Sequence, residues 1–183
     1  MKPALLVALI ACTGCTKPPG APSEPKRFTT KDQQIALQFP SNWYENKGEH
    51  QFDLQCFSED DRMMTGVFQF QRIDLAKATT PHDILDEQVA DMRSKRKNFQ
   101  LIEGKKVVRD GERTLTTVVY SGEKDLANNY YRFTLIEFST NPGIFAVVLQ
   151  TAIPSEWAKN KVFFDAINRS ATLGPSARAG AKG

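Results

Sequence analysis

The segment IFAVVLQTA, residues Ile144–Ala152, decides the fold because it is apolar on two opposite faces. Successive side chains of a β-strand point to opposite faces of its sheet. Each face has three apolar side chains, namely Phe145, Val147 and Leu149 on one and Ile144, Ala146 and Val148 on the other. A strand that is apolar on both sides lies in the middle of a sheet whose two faces are both covered.

The segments that precede this strand predict an antiparallel sheet. Asn129–Ser139 is also apolar on both sides and is joined to the central strand by the turn sequence Thr140-Asn141-Pro142-Gly143. Lys105–Arg109 and Arg113–Ser121 flank Asp110-Gly111-Glu112. Turns that contain Asn-Pro-Gly or Asp-Gly connect the strands of hairpins, so these segments should pair with their neighbours along the chain.

Earlier strands are predicted at Ile35–Phe39, Gln51–Phe57 and Thr65–Ile73. The first alternates apolar and polar residues and ends at Pro40, and an alternation with a period of two is typical of a strand. The second contains Cys56, which we expect to be a small buried apolar residue.

Two amphipathic helices are predicted. Thr80 can cap the first, Pro81 suits its first turn, and Asp83 stands where a capping-box carboxylate would lie. Its apolar stripe consists of Leu85, Val89, Met92 and Phe99. Ser155 should cap the second helix, whose apolar stripe consists of Trp157, Ala158, Val162, Phe163, Ala166 and Ile167. These elements predict a single α+β domain over residues 28–173, an αβα sandwich with one helix on each face of an antiparallel sheet.

The N-terminus has the pattern of an export signal. Lys2 precedes an unbroken apolar run, Ala4–Ala11, which is too short to span a bilayer because spanning needs about 20 residues. The run ends in Leu9-Ile10-Ala11-Cys12, which resembles the bacterial lipobox, where the cysteine is lipidated and the chain is cleaved before it. Residues 1–11 are therefore the predicted lipoprotein signal peptide, and Cys12 is the predicted lipidation site.

Cys15 is the alternative lipidation site, although a cysteine replaces the usual leucine three residues before it. Each buried methylene of an acyl chain contributes about 0.8 kcal/mol, so two or more chains anchor a protein stably. Neither Cys12 nor Cys15 is followed by an aspartate. In a Gram-negative cell this pattern predicts an anchor in the outer membrane facing the periplasm, and in a Gram-positive cell it predicts the outer face of the only membrane.

Composition sets the remaining boundaries. Residues 12–27 form a proline-rich tether, and residues 174–183 have nothing to bury and should form a disordered tail.

The formal net charge of +3 falls to +2 if Lys2 is removed with the signal, which is too weak to indicate nucleic-acid binding. Three cysteines, one of them acylated, do not make a disulfide framework.

The domain resembles the PsbP-like and DcrB-like domains at both of its ends. The opening has Phe28, then Ile35-Ala36-Leu37-Gln38-Phe39-Pro40 and Trp43. The ending has Ile153-Pro154 and a helix that finishes with Phe164-Asp165-Ala166-Ile167 and Ser170. The resemblance implies an αβα sandwich, an origin among bacterial lipoproteins, and a binding or assembly-accessory role without catalytic residues.

No catalytic motif stands out in the sequence. It has no Gly-x-Ser-x-Gly, no phosphate-binding glycine loop and no Cys-x-x-Cys. His50 and His82 are its two histidines, so a Ser-His-Asp triad would need one of them. We therefore expect no enzymatic activity, no catalytic residues and no cofactor.

Three other groups have a binding and a structural interpretation. Glu59-Asp60-Asp61 offers oxygen ligands, but no spaced ligand pattern surrounds it, which favours a solvated turn and no metal. Arg93–Lys97, with Lys105 and Lys106, is either a patch for anionic partners or a helix end that complements the helix dipole. Trp43 and Trp157 either line a pocket or belong to the core.

The sequence thus predicts a lipid-anchored envelope protein that acts as a non-enzymatic binding or assembly-accessory module. Its expected partners are the membrane, through the N-terminal lipid, and another envelope protein. The alternative hypothesis is a carrier of a small ligand or metal, held between the sheet and the helix within residues 80–99.

Overall fold

The computed structural model describes residues 24–76, 79–124 and 127–179, with the backbone alone for residues 178 and 179. The strands are β1 (Lys26–Thr29), β2 (Ile35–Phe39), β3 (Tyr44–Glu45), β4 (Leu54–Phe57), β5 (Met63–Gln71), β6 (Lys97–Asp110), β7 (Arg113–Lys124), β8 (Ala127–Phe138), β9 (Ile144–Ala152) and β10 (Thr172–Leu173). The α-helices are α1 (Pro81–Ser94), α2 (Pro154–Arg169) and α3 (Pro175–Ala179), and a short 3₁₀ helix covers Arg72–Asp74.

The main sheet is antiparallel and has seven strands in the order β3-β4-β5-β9-β8-β7-β6. Strand β9 lies at its centre, where Val148 pairs with Val67 of β5 and with Thr134 of β8. Every residue of β9 except Thr151 is buried. The predicted central position of this segment is confirmed.

Each face of the main sheet is covered by a helix, as the predicted αβα sandwich requires. On the α1 side, residues of β8 and β9 such as Phe133 and Val147 pack in one apolar cluster with Leu85 of α1. On the α2 side, Val148 packs in a second cluster with Phe164 and Ile167 of α2. The α+β fold class with a single domain is confirmed.

A second, three-stranded sheet extends the layer that contains α2. Its order is β1-β2-β10, with β2 in the middle. Ile35, Leu37 and Phe39 of β2 belong to the α2-side cluster. Because β1 begins at Lys26, the predicted tether of residues 12–27 overlaps this sheet at Lys26 and Arg27. Lys26 Nζ donates to the Trp43 carbonyl at 3.0 Å, and this bond joins the end of the tether to the domain.

Helix α1 begins as predicted and ends earlier. The Thr80 side chain accepts from the Asp83 amide at 3.2 Å, and the Asp83 carboxylate accepts from the Thr80 amide at 2.7 Å, so the capping box is confirmed. The helix ends at Ser94, and Asn98 has a positive φ of 50°. Phe99 was therefore wrongly placed in the helical stripe; it lies in β6 and stacks on Tyr120 of β7.

Helix α2 differs from its prediction in its cap and its buried face. Pro154 occupies the first turn after Ile153, so Ser155 lies inside the helix and is not its cap. The buried residues are Trp157, Phe164, Ile167 and Asn168. The predicted stripe was wrong for Val162 and Phe163, which are 68% and 45% exposed, and for Ala158 and Ala166, which are also exposed. They lie off this stripe because a helix turns by about 100° per residue.

The C-terminal segment is ordered further than predicted. The Gly174 amide donates to the Gln34 carbonyl at 2.6 Å, which continues the pairing of β10 with β2. Helix α3 follows, and its Ala177 is 2% exposed within the α2-side cluster. The predicted disorder of residues 174–183 was wrong from Gly174 to Ala177, because small side chains fit against the sheet. Residues 180–183 lie outside the described part.

Strand β6 is the outer edge of the main sheet and is irregular. Its pairing with β7 has register shifts between Lys97 and Gln100, between Leu101 and Glu103, and between Glu103 and Lys106. At the other end the hairpin loop begins with Gly111 at φ 59°, a conformation that glycine adopts without steric cost. Within the described ranges, no helix combines the length and the apolar character that crossing a membrane requires.

We predict that Gly174→Ala lowers the free energy of unfolding by about 1–3 kcal/mol, the usual cost of overpacking. A Cβ atom at this position would lie 2.0 Å from the Gln33 carbonyl oxygen, which belongs to the backbone and cannot rotate away. Urea unfolding of the two proteins measures the difference. Gly104→Ala is the matched control, because a Cβ there meets nothing within 4 Å; equal losses in both variants would contradict the prediction.

Candidate functional site

The α1 side of the sheet has an open groove of about 520 Å³ beside the C-terminal end of α1. It lies where β5 begins and β9 ends, and α1 leaves this end of the sheet uncovered. The groove is lined by Gln51, Phe52, Gln55, Phe57, Asp61, Arg62, Met63, Met64, Met92, Arg96, Lys124, Asn129, Tyr131, Leu149, Thr151 and Ile153.

The floor of the groove is apolar and depends on a glycine. Phe52 is 5% exposed and its ring stacks obliquely on Phe68 with centroids 4.6 Å apart. A Cβ atom on Gly66 would lie 2.4 Å from the Phe52 ring, so only glycine at position 66 lets this ring lie on β5. Met92 of α1 and Leu149 of β9 complete the buried part of the floor.

The rim of the groove is basic. Arg96 Nε donates to the Tyr131 hydroxyl at 2.8 Å, and its guanidinium lies 5.4 Å from the Tyr131 ring centroid. Arg62 is exposed and pairs with Asp60 and Glu156. Lys124 is exposed and has no ion-pair partner in the described part of the chain. The groove therefore combines an apolar floor with a rim that carries three cations, Arg62, Arg96 and Lys124, and one acid, Asp61, which suits an apolar group next to a negative charge.

The α2 side has a row of buried polar side chains across the sheet. Thr65, Gln150 and Arg132 are cross-strand neighbours on β5, β9 and β8, and they are 0%, 0% and 6% exposed. Asn168 of α2 lies on this row and donates to Gln150 Oε1 at 3.1 Å and to Thr134 Oγ1 at 3.0 Å. These bonds fix where α2 lies, because buried polar groups are costly unless they are paired.

The row ends in a charged cleft of about 100 Å³ between α2 and strands β6–β8. Its lining residues are Glu103, Gly104, Lys106, Val108, Leu115, Thr117, Val119, Arg132, Lys161, Asp165 and Arg169. Arg132 Nη2 donates to Asp165 Oδ1 at 2.5 Å. Its Nε and Nη1 are buried and have no hydrogen-bond partner among the described residues.

Sequence reasoning missed Arg132, although a signal was present. Strand β8 is apolar on the face of Tyr131, Phe133 and Leu135, but its other face places Arg132 and Thr134 before Ile136. Because both faces of this strand are covered, a charged residue in it must be buried. A buried charge usually has an oppositely charged or hydrogen-bonding partner.

The predicted lipidation residues, Cys12 and Cys15, lie outside the described residues, so the anchor stays a prediction. Cys56 is fully buried, as predicted. Burial raises the pKa of its thiol well above the usual value, and the nearby Glu45 carboxylate raises it further. The thiol is therefore inert and structural.

The two histidines do not form a catalytic arrangement with described residues. His50 Nε2 bonds to the Asn46 carbonyl at 3.0 Å, and its Nδ1 is buried without a partner in that part of the chain. His82 is exposed on the first turn of α1. The neighbouring Asp83 carboxylate is engaged by Thr80, and the Thr80 hydroxyl lowers the pKa of Asp83.

The acidic group Glu59-Asp60-Asp61 forms an exposed turn between β4 and β5. The Ser58 hydroxyl donates to Asp60 at 2.7 Å and, with the Arg62 amide, lowers the pKa of Asp60. Asp61 accepts from the Tyr44 hydroxyl, and this bond raises the pKa of Tyr44. Two of the three carboxylates, those of Asp60 and Asp61, are thus engaged by neighbouring side chains. Across the described ranges, no three His, Cys, Asp or Glu residues cluster as metal ligands.

The basic residues of Arg93–Lys97 do not form one patch. Arg93 lies over the Phe99 ring, Lys95 pairs with Asp91, and Arg96 borders the groove. Of the two lysines added to this group, Lys105 pairs with Asp86 of α1 at 2.8 Å, whereas Lys106 borders the cleft.

Both tryptophans belong to the core. Trp43 is 2% exposed and packs near Phe39, with ring centroids 5.5 Å apart. Trp157 of α2 is buried and stacks on Tyr130 with centroids 5.4 Å apart. The structural interpretation of these residues is confirmed.

The shape of this domain is shared with known structures, although no family model and no curated protein matches the sequence. The cyanobacterial PsbP of Synechocystis superposes with a TM-score of 0.61 at 14% identity, over 88% of this chain and 98% of that protein. The chain has a PsbP-like fold. The fold that the sequence resemblance implied is thereby confirmed, and its DcrB-like part stays a prediction.

Two further structures share this fold. LpqN of Mycobacterium tuberculosis, which is involved in cell envelope biogenesis, has a TM-score of 0.57 at 13% identity, over 85% of this chain and 87% of its own. The Ran-binding protein Mog1p of Saccharomyces cerevisiae has a TM-score of 0.53 at 13% identity, over 82% of this chain and 95% of its own. At these identities the likeness establishes the fold alone.

We predict that Gly66→Ala displaces the Phe52 ring from the groove floor and lowers the free energy of unfolding by about 1–3 kcal/mol. The added methyl group would overlap the ring, as the 2.4 Å separation requires. Urea unfolding measures the stability. The NMR shifts of the Leu149 methyl groups report whether the Phe52 ring in the groove floor has moved. Gly104→Ala again serves as control; unchanged Leu149 shifts in Gly66→Ala would contradict the displacement.

Proposed function

We propose that this chain is a lipid-anchored, non-enzymatic binding module of the bacterial cell envelope, and that the groove on its α1 side binds an envelope protein partner. The observation on which this rests is the groove itself. It is several times larger than the charged cleft on the α2 side, and it combines an apolar floor with a basic rim. The anchor follows from Leu9-Ile10-Ala11-Cys12, and the tether lets the domain stand away from the lipid headgroups.

The lining of the groove favours a protein partner. Met64 and Met92 pack on the α1 side within the groove, and Met63 borders it from the opposite face of β5. Methionine side chains are flexible and polarizable, so a surface rich in them adapts to the shape of a bound segment. The floor can take an apolar side chain of the partner, and the exposed Lys124, which has no ion-pair partner among the described residues, can attract an acidic residue that flanks it.

The comparisons support a binding role by analogy. LpqN is involved in cell envelope biogenesis and Mog1p binds Ran, so proteins with this fold act in the envelope and bind other proteins. The absence of catalytic motifs from the sequence supports a non-enzymatic role. Neither of its histidines is hydrogen-bonded to a carboxylate or a serine in the described part of the chain.

Our prediction for the anchor is that Cys12→Ser moves the chain from the membrane fraction to the soluble fraction without unfolding the domain. Acylation supplies the membrane affinity, and Cys12 lies 14 residues before Lys26, the first residue of β1, across a proline-rich stretch of sequence. Cell fractionation with metabolic labelling by a palmitate analogue measures both effects. Cys15→Ser is the matched control and should stay acylated; the reverse pattern would move the anchor to Cys15.

For the partner, we predict that Lys124→Glu weakens binding by about 3- to 10-fold, because it reverses one charge on the rim. A photo-crosslinking side chain at position 63 should capture the partner in intact cells, and Lys124→Glu should reduce that adduct. Lys31→Glu is the matched control, because Lys31 is also exposed and lies by Asp53 near the opposite end of β5. Equal adducts in both variants would contradict a partner in the groove.

The second candidate function is that of a small-ligand carrier, which the volume of the groove favours. Sites for small molecules are typically about 300–1,000 Å³ and mostly apolar, and the groove holds about 520 Å³. It also lies beside the C-terminal end of α1, next to the space between the sheet and residues 80–99 in which the carrier hypothesis holds the ligand. Native mass spectrometry distinguishes the two: a small molecule that co-purifies with the wild type and is lost in Met64→Trp supports the carrier.

A further inference from the structure

The cleft on the α2 side has an excess of positive charge that converges from three directions. Its cations are Lys106 on β6, Arg132 on β8, and Lys161 and Arg169 on α2, whereas its acids are Glu103 and Asp165. Glu103 pairs with Lys161, and Asp165 pairs with Arg132. Two cations, Lys106 and Arg169, are left without an ion-pair partner among the described residues.

Arg132 lines this cleft and has hydrogen-bond donors that no described residue uses. Its side chain is 7% exposed and makes one hydrogen bond, from Nη2 to Asp165. The buried Nε and Nη1 have no acceptor in the described part of the chain. Each unmade bond of a buried charged donor is costly, so an acceptor that reaches these atoms would stabilise the folded chain.

The groups on the outer side of the cleft can move to admit such an acceptor. The side chains of Glu103, Lys161 and Asp165 are 43%, 44% and 42% exposed. The Glu103–Lys161 ion pair joins two side chains this exposed, so it contributes little to stability and can exchange partners. Gly104 leaves the space above β6 open, since no atom lies within 4 Å of where its Cβ would be.

We propose that this cleft binds a phosphate group, with Arg132 as its buried donor. A tetrahedral oxyanion presents oxygens in several directions at once, which matches cations on β6, β8 and α2; a carboxylate is planar and presents two oxygens on one side. The charge also fits, because the cleft has two more cations than acids. The phosphate group can come from free inorganic phosphate or from a lipid headgroup. This site is separate from the groove of the proposed function.

The test is calorimetric titration of the full chain, purified in detergent, with inorganic phosphate at constant ionic strength. Lys161→Ala should weaken binding about threefold, because it removes one cation and leaves Glu103 unpaired. Lys159→Ala is the matched control on the same helix, since Lys159 is 70% exposed and pairs with Glu156 away from the cleft. It should leave the Kd unchanged.

Two further variants, at Arg132 and Asp165, test the proposal within the cleft. Arg132→Lys keeps the charge but removes the guanidinium donors, and it should weaken binding at least about tenfold. Asp165→Asn removes a negative charge beside the phosphate and should tighten binding about threefold. Asp165→Asn should thus lower the Kd and Lys161→Ala should raise it. Residues with a purely structural role are not expected to change the Kd in opposite directions. In the wild type, phosphate should also shift the NMR signal of the Arg132 Nε–H group.

The choice of probe identifies the source of the phosphate. Tighter binding of inorganic phosphate than of glycerophosphoglycerol, the soluble headgroup of phosphatidylglycerol, supports a free phosphate; the reverse order supports a lipid headgroup. Tighter binding of acetate than of both would overturn the proposal. So would the absence of saturable phosphate binding, or equal effects of Lys161→Ala and Lys159→Ala. The variants on α2 keep the test valid if Arg132→Lys fails to fold.

Discussion

The structure depends on the burial of strand β9 on both of its faces. Phe145 and Val147 need a cover on one side of the sheet, and Ala146 and Val148 need one on the other. A single helix cannot supply both, so the chain places α1 before the central hairpins and α2 after them. The outer strands then have less to bury, which leaves concave surfaces where the helices end.

The parts of the fold that were predictable are those with strong local patterns. Strand β9, apolar on both faces, and the capping box of Thr80 and Asp83 are each encoded by residues that are close together in the sequence. Both are present in the structure. The buried face of α2 was not predictable, because Asn168 belongs to it through bonds to residues 18 and 34 positions away. The order of the C-terminal segment likewise depends on Gln34, which is distant in the chain. Contacts of this kind have no local signature.

In the candidate sites too, features with a local sequence pattern were predictable and features built from distant residues were not. The groove was foreseen only as a space between sheet and helix, since its lining comes from six separate segments. The cleft was not foreseen, although Arg132 was visible as a charge in an apolar strand. Tyr131 and Arg132 are consecutive residues of β8 and point to opposite faces. One strand therefore lines both the groove and the cleft.

The irregular edge strand β6 affects how readily two copies of this chain can pair edge to edge. An exposed strand of 14 residues offers a template for pairing with another copy. Its register shifts interrupt that template, so the longest run of regular pairing is the five residues from Lys106 to Asp110. Lys105, Lys106 and Arg109 add repulsion between identical edges. The register shifts and the charges oppose edge-to-edge pairing between copies of this chain, and they flank the apolar residues that β6 exposes, Leu101, Ile102 and Val107.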